Sequence, residues 1–84
     1  RKFEVDLLAA SNDNRLIAVE VKKTKTKTGI KVIEDFLEKV ELLKTKHPGK
    51  ILLPMILSLG GFTDEAERFC KEKGIGMTEE IKLW

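Results

Sequence analysis

Between Phe3 and Ala9 the chain alternates. Phe3, Val5, Leu7 and Ala9 fall on one side, Glu4, Asp6 and Leu8 on the other. A period of two marks a strand. Residues 11–14, Ser-Asn-Asp-Asn, are turn formers that tolerate left-handed backbone. The alternation then resumes, with Ile17, Val19 and Val21 opposite Leu16, Ala18, Glu20 and Lys22. Two such runs around a short turn predict an antiparallel hairpin, with Ile17, Val19 and Val21 expected as its covered set.

From Ile30 the period changes. Ile30, Ile33, Phe36, Leu37, Val40 and Leu43 recur at helical spacing, predicting a helix over about 29–46 that stops near His47-Pro48-Gly49. Residues 51–59, ILLPMILSL, follow as a continuous apolar run. It is expected to be a strand buried on both faces in a parallel arrangement, with Pro54 favouring an edge or a bulge. Gly60-Gly61 lead into a second helix with Thr63 as N-cap and Asp64 and Glu65 in its first turn. Ala66, Phe69 and Cys70 face inward, and Gly74 is the C-cap. Ile75 to Met77 fit a short last strand. The helix over 29–46 crosses over from the second strand to the third, making those two parallel within one mixed sheet. The fold class is α/β, in a single domain over 1–84. Opening on Arg1 almost directly in strand-like sequence, the chain reads as an excerpt of a longer protein.

With 84 residues, such a domain buries only about 60–65 per cent of its unfolded surface. Hydrophobic residues make up 42% and charged ones 36%, a globular and not a disordered balance. The net charge of +2 does not by itself point to nucleic acid. Its distribution is more informative, because Lys22, Lys23, Lys25, Lys27 and Lys31 fall within one stretch of ten residues. Such a run can grip phosphate or simply form a solvated loop. The single cysteine, Cys70, cannot form an internal disulfide, which fits a reducing, cytoplasmic setting. The apolar run over 51–59 is about half the length of a membrane span, and no signal peptide is visible.

Register decides whether the acids matter. A three-residue turn, Asn12 to Asn14, makes opposed positions sum to 26, so Asp6 faces Glu20 and Glu4 faces Lys22. A two-residue turn would set Asp6 beside Val19 and separate the acids. Only the odd-numbered loop keeps Val5, Leu7 and Ala9 beside Ile17, Val19 and Val21, so the hydrophobic pattern selects the register that joins the two acids. Like charges directly opposed across strands are destabilising. A cross-strand ion pair accounts for Glu4 and Lys22, but Asp6 facing Glu20 calls for a proton or a cation between them. Mg²⁺ or Mn²⁺ would fill that role, polarising a phosphoryl oxygen and acidifying bound water. Lys22 projects from the same side, where its ammonium could orient water or stabilise developing charge.

Val5-Asp6 on one strand, followed after a turn by Glu20-Val21-Lys22, resembles the D…(D/E)xK core of the PD-(D/E)XK, or restriction-endonuclease-like, superfamily. The succeeding helix, strand and helix are similar to that core, so the resemblance covers nearly the whole chain. It is nearest to small prokaryotic members such as archaeal Holliday junction resolvases. The resemblance implies that Asp6 and Glu20 ligate Mg²⁺ (or Mn²⁺), that the Val21 carbonyl is a third ligand and that Lys22 is the catalytic lysine. DNA is the implied substrate, with Lys23, Lys25, Lys27 and Lys31 on its backbone. Two features depart from the family pattern. The helix that normally precedes the first strand is absent from this sequence, and so is the glutamine motif of the exonuclease-like branches, since the chain has no Gln.

Other side chains read as structural. His47 lies in a turn, Cys70 on an apolar helix face, and Gly60-Gly61 forms a tight turn more readily than a phosphate cradle. Trp84 could be a stacking platform or a dimer contact. The expected function is that of a Mg²⁺-dependent DNA endonuclease, acting as a homodimer where both strands or a junction are cut. The alternatives are a nuclease-fold binding or regulatory module that no longer cleaves, and a small interaction domain in which Glu20 and Lys22 form surface ion pairs.

Overall fold

The computed structural model describes residues 6–10 and 13–80. Its elements are β1 (Leu7–Ala10), β2 (Arg15–Lys22), α1 (Ile30–Lys46), β3 (Ile51–Ser58), α2 (Asp64–Lys73) and β4 (Gly76–Thr78). The strands form one sheet in the order β1-β2-β3-β4. β1 is antiparallel to β2, while β2–β3 and β3–β4 are parallel.

The hairpin has the register that its hydrophobic pattern selects. Leu7 pairs with Val19 and Ala9 with Ile17, so opposed numbers sum to 26. Asn14, at φ 72°, takes the left-handed conformation in the turn, one that asparagine tolerates better than most residues. Thr63 caps α2 by accepting the Ala66 N–H at 3.1 Å. Three acids in the first turn of α2 and two lysines in its last oppose the helix dipole favourably at both ends. Gly74, at φ 70°, closes it in the region that glycine enters without a Cβ penalty.

The covered side of the sheet is not the one the alternation suggested. Leu16, Ala18 and Glu20 of β2 are buried, whereas Ile17, Val19 and Val21 are only half-buried. The reason is topological. Both crossovers, β2-α1-β3 and β3-α2-β4, advance the same way across the sheet, and right-handed connections then place both helices on one face. Ile33, Phe36 and Val40 of α1 and Ala66 and Cys70 of α2 pack there against Leu16, Ala18, Leu52 and Ile56.

β3 is therefore not buried on both sides along its length. Ile51, Leu53 and Met55 are 57%, 39% and 37% exposed on the other face, where Ile17 and Val19 pair alongside Leu53 and Met55. Nor does Pro54 mark a sheet edge or a bulge, because β3 runs between β2 and β4 and Pro54 pairs in regular register with Ala18. The Ile51 and Leu59 N–H groups bond to Asn14 and Lys22 on the β2 side, so odd-numbered amides of β3 point that way and position 54 points towards β4. Pairing with β4 begins only at Met55. The missing proline N–H thus falls where the strand has no partner to lose.

His47 forms the C-terminal boundary of α1, its N–H donating to the Leu43 carbonyl at 3.1 Å. Cys70 is fully buried, and desolvation pushes its thiol pKa up. Glu4, Val5 and Trp84, to which an ion pair, a strand position and a stacking or dimer role were assigned, lie outside the described residues.

Candidate active site

β2 delivers the glutamate. Because Glu20 shares the parity of Leu16 and Ala18, it points under the helices and is 6% exposed. A carboxylate so placed requires a countercharge. Two ammonium groups approach the same oxygen, Oε2: Lys39 Nζ from α1 at 3.2 Å and Lys22 Nζ from β2 at 3.9 Å. Only the Lys39 contact is within hydrogen-bonding distance.

Asp6 sits in a bend immediately before β1 and is exposed. Continuing the ladder by one residue would set it opposite Glu20. Its Oδ2 accepts the Val21 N–H at 2.7 Å, so the carboxylate is tied to the backbone of β2 one residue beyond Glu20. The N–H and C=O of one strand residue lie on the same edge. The Val21 carbonyl is therefore directed to the edge of β2 on which Asp6 lies.

The structure thus brings Asp6, the Val21 backbone, Glu20 and Lys22 to one end of the β1–β2 ribbon. Among the described residues no group of three or more His, Cys, Asp or Glu side chains converges. Any ion here would rest on two carboxylates, a carbonyl and water. That hard-oxygen donor set fits Mg²⁺, which binds through one or two carboxylates and keeps several waters.

The lysine run follows directly. Lys23, Lys25 and Lys27 are exposed in the loop between β2 and α1. Lys31, in the first turn of α1, is exposed and pairs with Asp35 at 3.3 Å, which draws off part of its charge. The loop is firmly anchored. Thr28 N–H donates to the Gly61 carbonyl at 2.8 Å, Thr63 N–H donates to the Thr28 carbonyl at 3.0 Å, and the buried Thr28 and Ser58 hydroxyls meet at 2.7 Å. Gly60 lies against this loop with no room for a side chain: a Cβ there would come within 2.6 Å of the Lys25 backbone and closer still to the Thr26 carbonyl oxygen. The Gly60-Gly61 pair is a close-packed turn.

Lys39 is the site residue that the motif did not reveal. One signal was available, since it lies three residues after Phe36 and four before Leu43, on the edge of the stripe that α1 turns to the sheet. A lysine there is placed to meet a buried acid.

A mixed α/β sheet whose opening hairpin ends in Asp6, Glu20 and Lys22, followed by helix, strand and helix, defines a restriction-endonuclease-like fold. The family model described as restriction endonuclease (Mrr_cat) matches residues 1–84, and the chain belongs to that family. No curated protein and no solved structure matches it. Among the described residues, no helix is long and apolar enough to cross a membrane.

Proposed function

We propose that this domain is a Mg²⁺-dependent DNA endonuclease, with Mn²⁺ able to replace Mg²⁺, in which Asp6, Glu20 and the Val21 carbonyl hold the ion. The observation that carries this reading is the Asp6–Val21 hydrogen bond at 2.7 Å, which ties one acid of the motif to the residue next to the other. When bound, the ion would neutralise the acids, polarise a phosphoryl oxygen and favour the hydroxide form of water. Lys22 would orient the attacking water and oppose the charge that builds on the phosphate. Lys23, Lys25, Lys27 and Lys31 would hold the backbone, contributing affinity without reading sequence. Cutting both strands would take two such sites and hence a homodimer.

The test is cleavage of plasmid and duplex DNA with Mg²⁺ by Asp6→Ala and Glu20→Ala variants. Both should lose metal-dependent cutting, and retained activity in either would remove the catalytic assignment.

A second reading is supported by the Lys39–Glu20 contact: the acid already has a cation, as it would in a nuclease-fold module that binds without cutting. Calorimetric titration separates the two readings. Mg²⁺ or Mn²⁺ binding that disappears in Asp6→Asn supports the enzyme, and a wild type that binds neither ion supports the module.

A further inference from the structure

Lys39 has no role in the reaction outlined above, yet it makes the closest ionic contact to the most buried acid of the site. Its Nζ is 3.2 Å from Glu20 Oε2, against 3.9 Å for Lys22. Its side chain remains 28% exposed, so it is not sealed between α1 and the sheet as Glu20 is. The ammonium group sits at the end of a flexible four-carbon stem and acts as a compact point charge that readily takes a phosphate oxygen in place of a carboxylate.

With a divalent ion held at Glu20, the balance around Lys39 would change. Two positive charges would lie close to that ammonium, in surroundings where charges at such separations repel much more strongly than in water. The Lys39 ammonium would then lose its hold on the carboxylate and would require another anion. A phosphodiester beside the ion would supply one.

We propose that Lys39 is a phosphate-binding lysine held in reserve by Glu20. It exchanges the carboxylate for a phosphodiester oxygen when the divalent ion binds, and so makes metal and DNA binding cooperative. The proposal rests on the nuclease reading above and adds to it a residue and a coupling. Reciprocity follows: whatever factor the ion contributes to DNA affinity, DNA contributes to ion affinity.

The first measurement is calorimetric titration of the whole chain with Mn²⁺ in the absence of DNA. Lys39→Met should bind the ion at least about tenfold more tightly than wild type, because the competing cation is gone. Lys39→Arg, which keeps the charge, should stay within about threefold of wild type. The second measurement is fluorescence anisotropy with a labelled duplex. In EDTA, Lys39→Met and wild type should bind alike, since the ammonium is occupied by Glu20. With Ca²⁺, an ion with the same preference for oxygen, the wild type should gain several-fold more affinity than the variant.

Mn²⁺ binding by Lys39→Met that is equal to or weaker than wild type, with only a lowered melting temperature, would make Lys39 a structural partner of Glu20 and overturn the proposal. Equal gains in duplex affinity with Ca²⁺ would overturn its phosphate half. If Lys39→Met does not fold, Lys39→Gln carries the same expectation, and failure of both neutral variants to fold assigns the residue to stability alone. Failure of the underlying nuclease reading looks different: wild type binds no Mn²⁺, or Asp6→Asn binds it unchanged, and both proposals then end together.

Discussion

Replacing Gly60 by alanine should damage this domain far more than one methyl group suggests. The added Cβ would lie 2.6 Å from the Lys25 carbonyl carbon and oxygen and closer still to the Thr26 carbonyl oxygen, whereas ordinary contact begins at 3.4 Å. The obstacle is backbone, so no rotamer change relieves it, and the lysine loop or the Gly60 turn must retreat by about 0.8 Å or more. The retreat is resisted by the bonds that join the two segments: Thr28 to Gly61, Thr63 to Thr28, Leu59 to Lys22, and Ser58 to Thr28. Each is worth about 1 kcal/mol net. Overpacking of this kind costs about 1–3 kcal/mol, and weakening one or two of these bonds places Gly60→Ala at about 2–3 kcal/mol. For a domain of this size that lowers the melting temperature by roughly 10–20 °C. Urea unfolding followed by circular dichroism reads the free energy. Gly29→Ala is the control, because a Cβ at Gly29, the N-cap of α1, meets nothing within 4 Å, and it should cost at most about 1 kcal/mol from the weaker cap. A Gly60→Ala protein within about 0.5 kcal/mol of wild type would refute the claim that the lysine loop is clamped to this turn.

Two further outcomes follow from burial. Ile56 and Ile51 occupy the same strand, one fully buried beneath the helices and the other 57% exposed on the open face; Ile56→Ala should cost about 2–5 kcal/mol and Ile51→Ala less than about 1 kcal/mol in the same assay, and similar values would contradict the one-sided core. Burial raises the Cys70 pKa above its ordinary value, so the folded state favours the neutral thiol. That contribution is complete below the unfolded thiol's pKa and is lost as pH rises through the folded one. Stability measured from about pH 8 to pH 11 should therefore fall more steeply for wild type than for Cys70→Ala, and parallel curves would remove the effect.

Much of this architecture was legible in the amino-acid order, because the signals involved are local. Period-two alternation marked the hairpin and helical spacing marked α1. Thr63 and Gly74 bounded α2 through their own side-chain and backbone chemistry. Hairpin register followed from parity alone, since a slip of one residue would have set Leu7 against a residue of the other face. Parity also directed attention to Asp6, Glu20 and Lys22.

Parity could not say which face of the hairpin would be covered. β2 carries apolar residues on both faces, Leu16 and Ala18 on one and Ile17, Val19 and Val21 on the other, so its own pattern is close to symmetrical. The side on which a crossover helix lands depends on strand direction and connection handedness, properties of several elements together. That choice buried Glu20 beneath α1 and brought Lys39 to it. It also left Ile51, Leu53 and Met55 uncovered among the described residues. The acid and its neighbouring lysine are written in the strand, but their burial and the second ammonium exist only once the sheet has acquired its helices. Two groups nineteen positions apart become partners because a right-handed turn of chain leaves them nowhere else to meet.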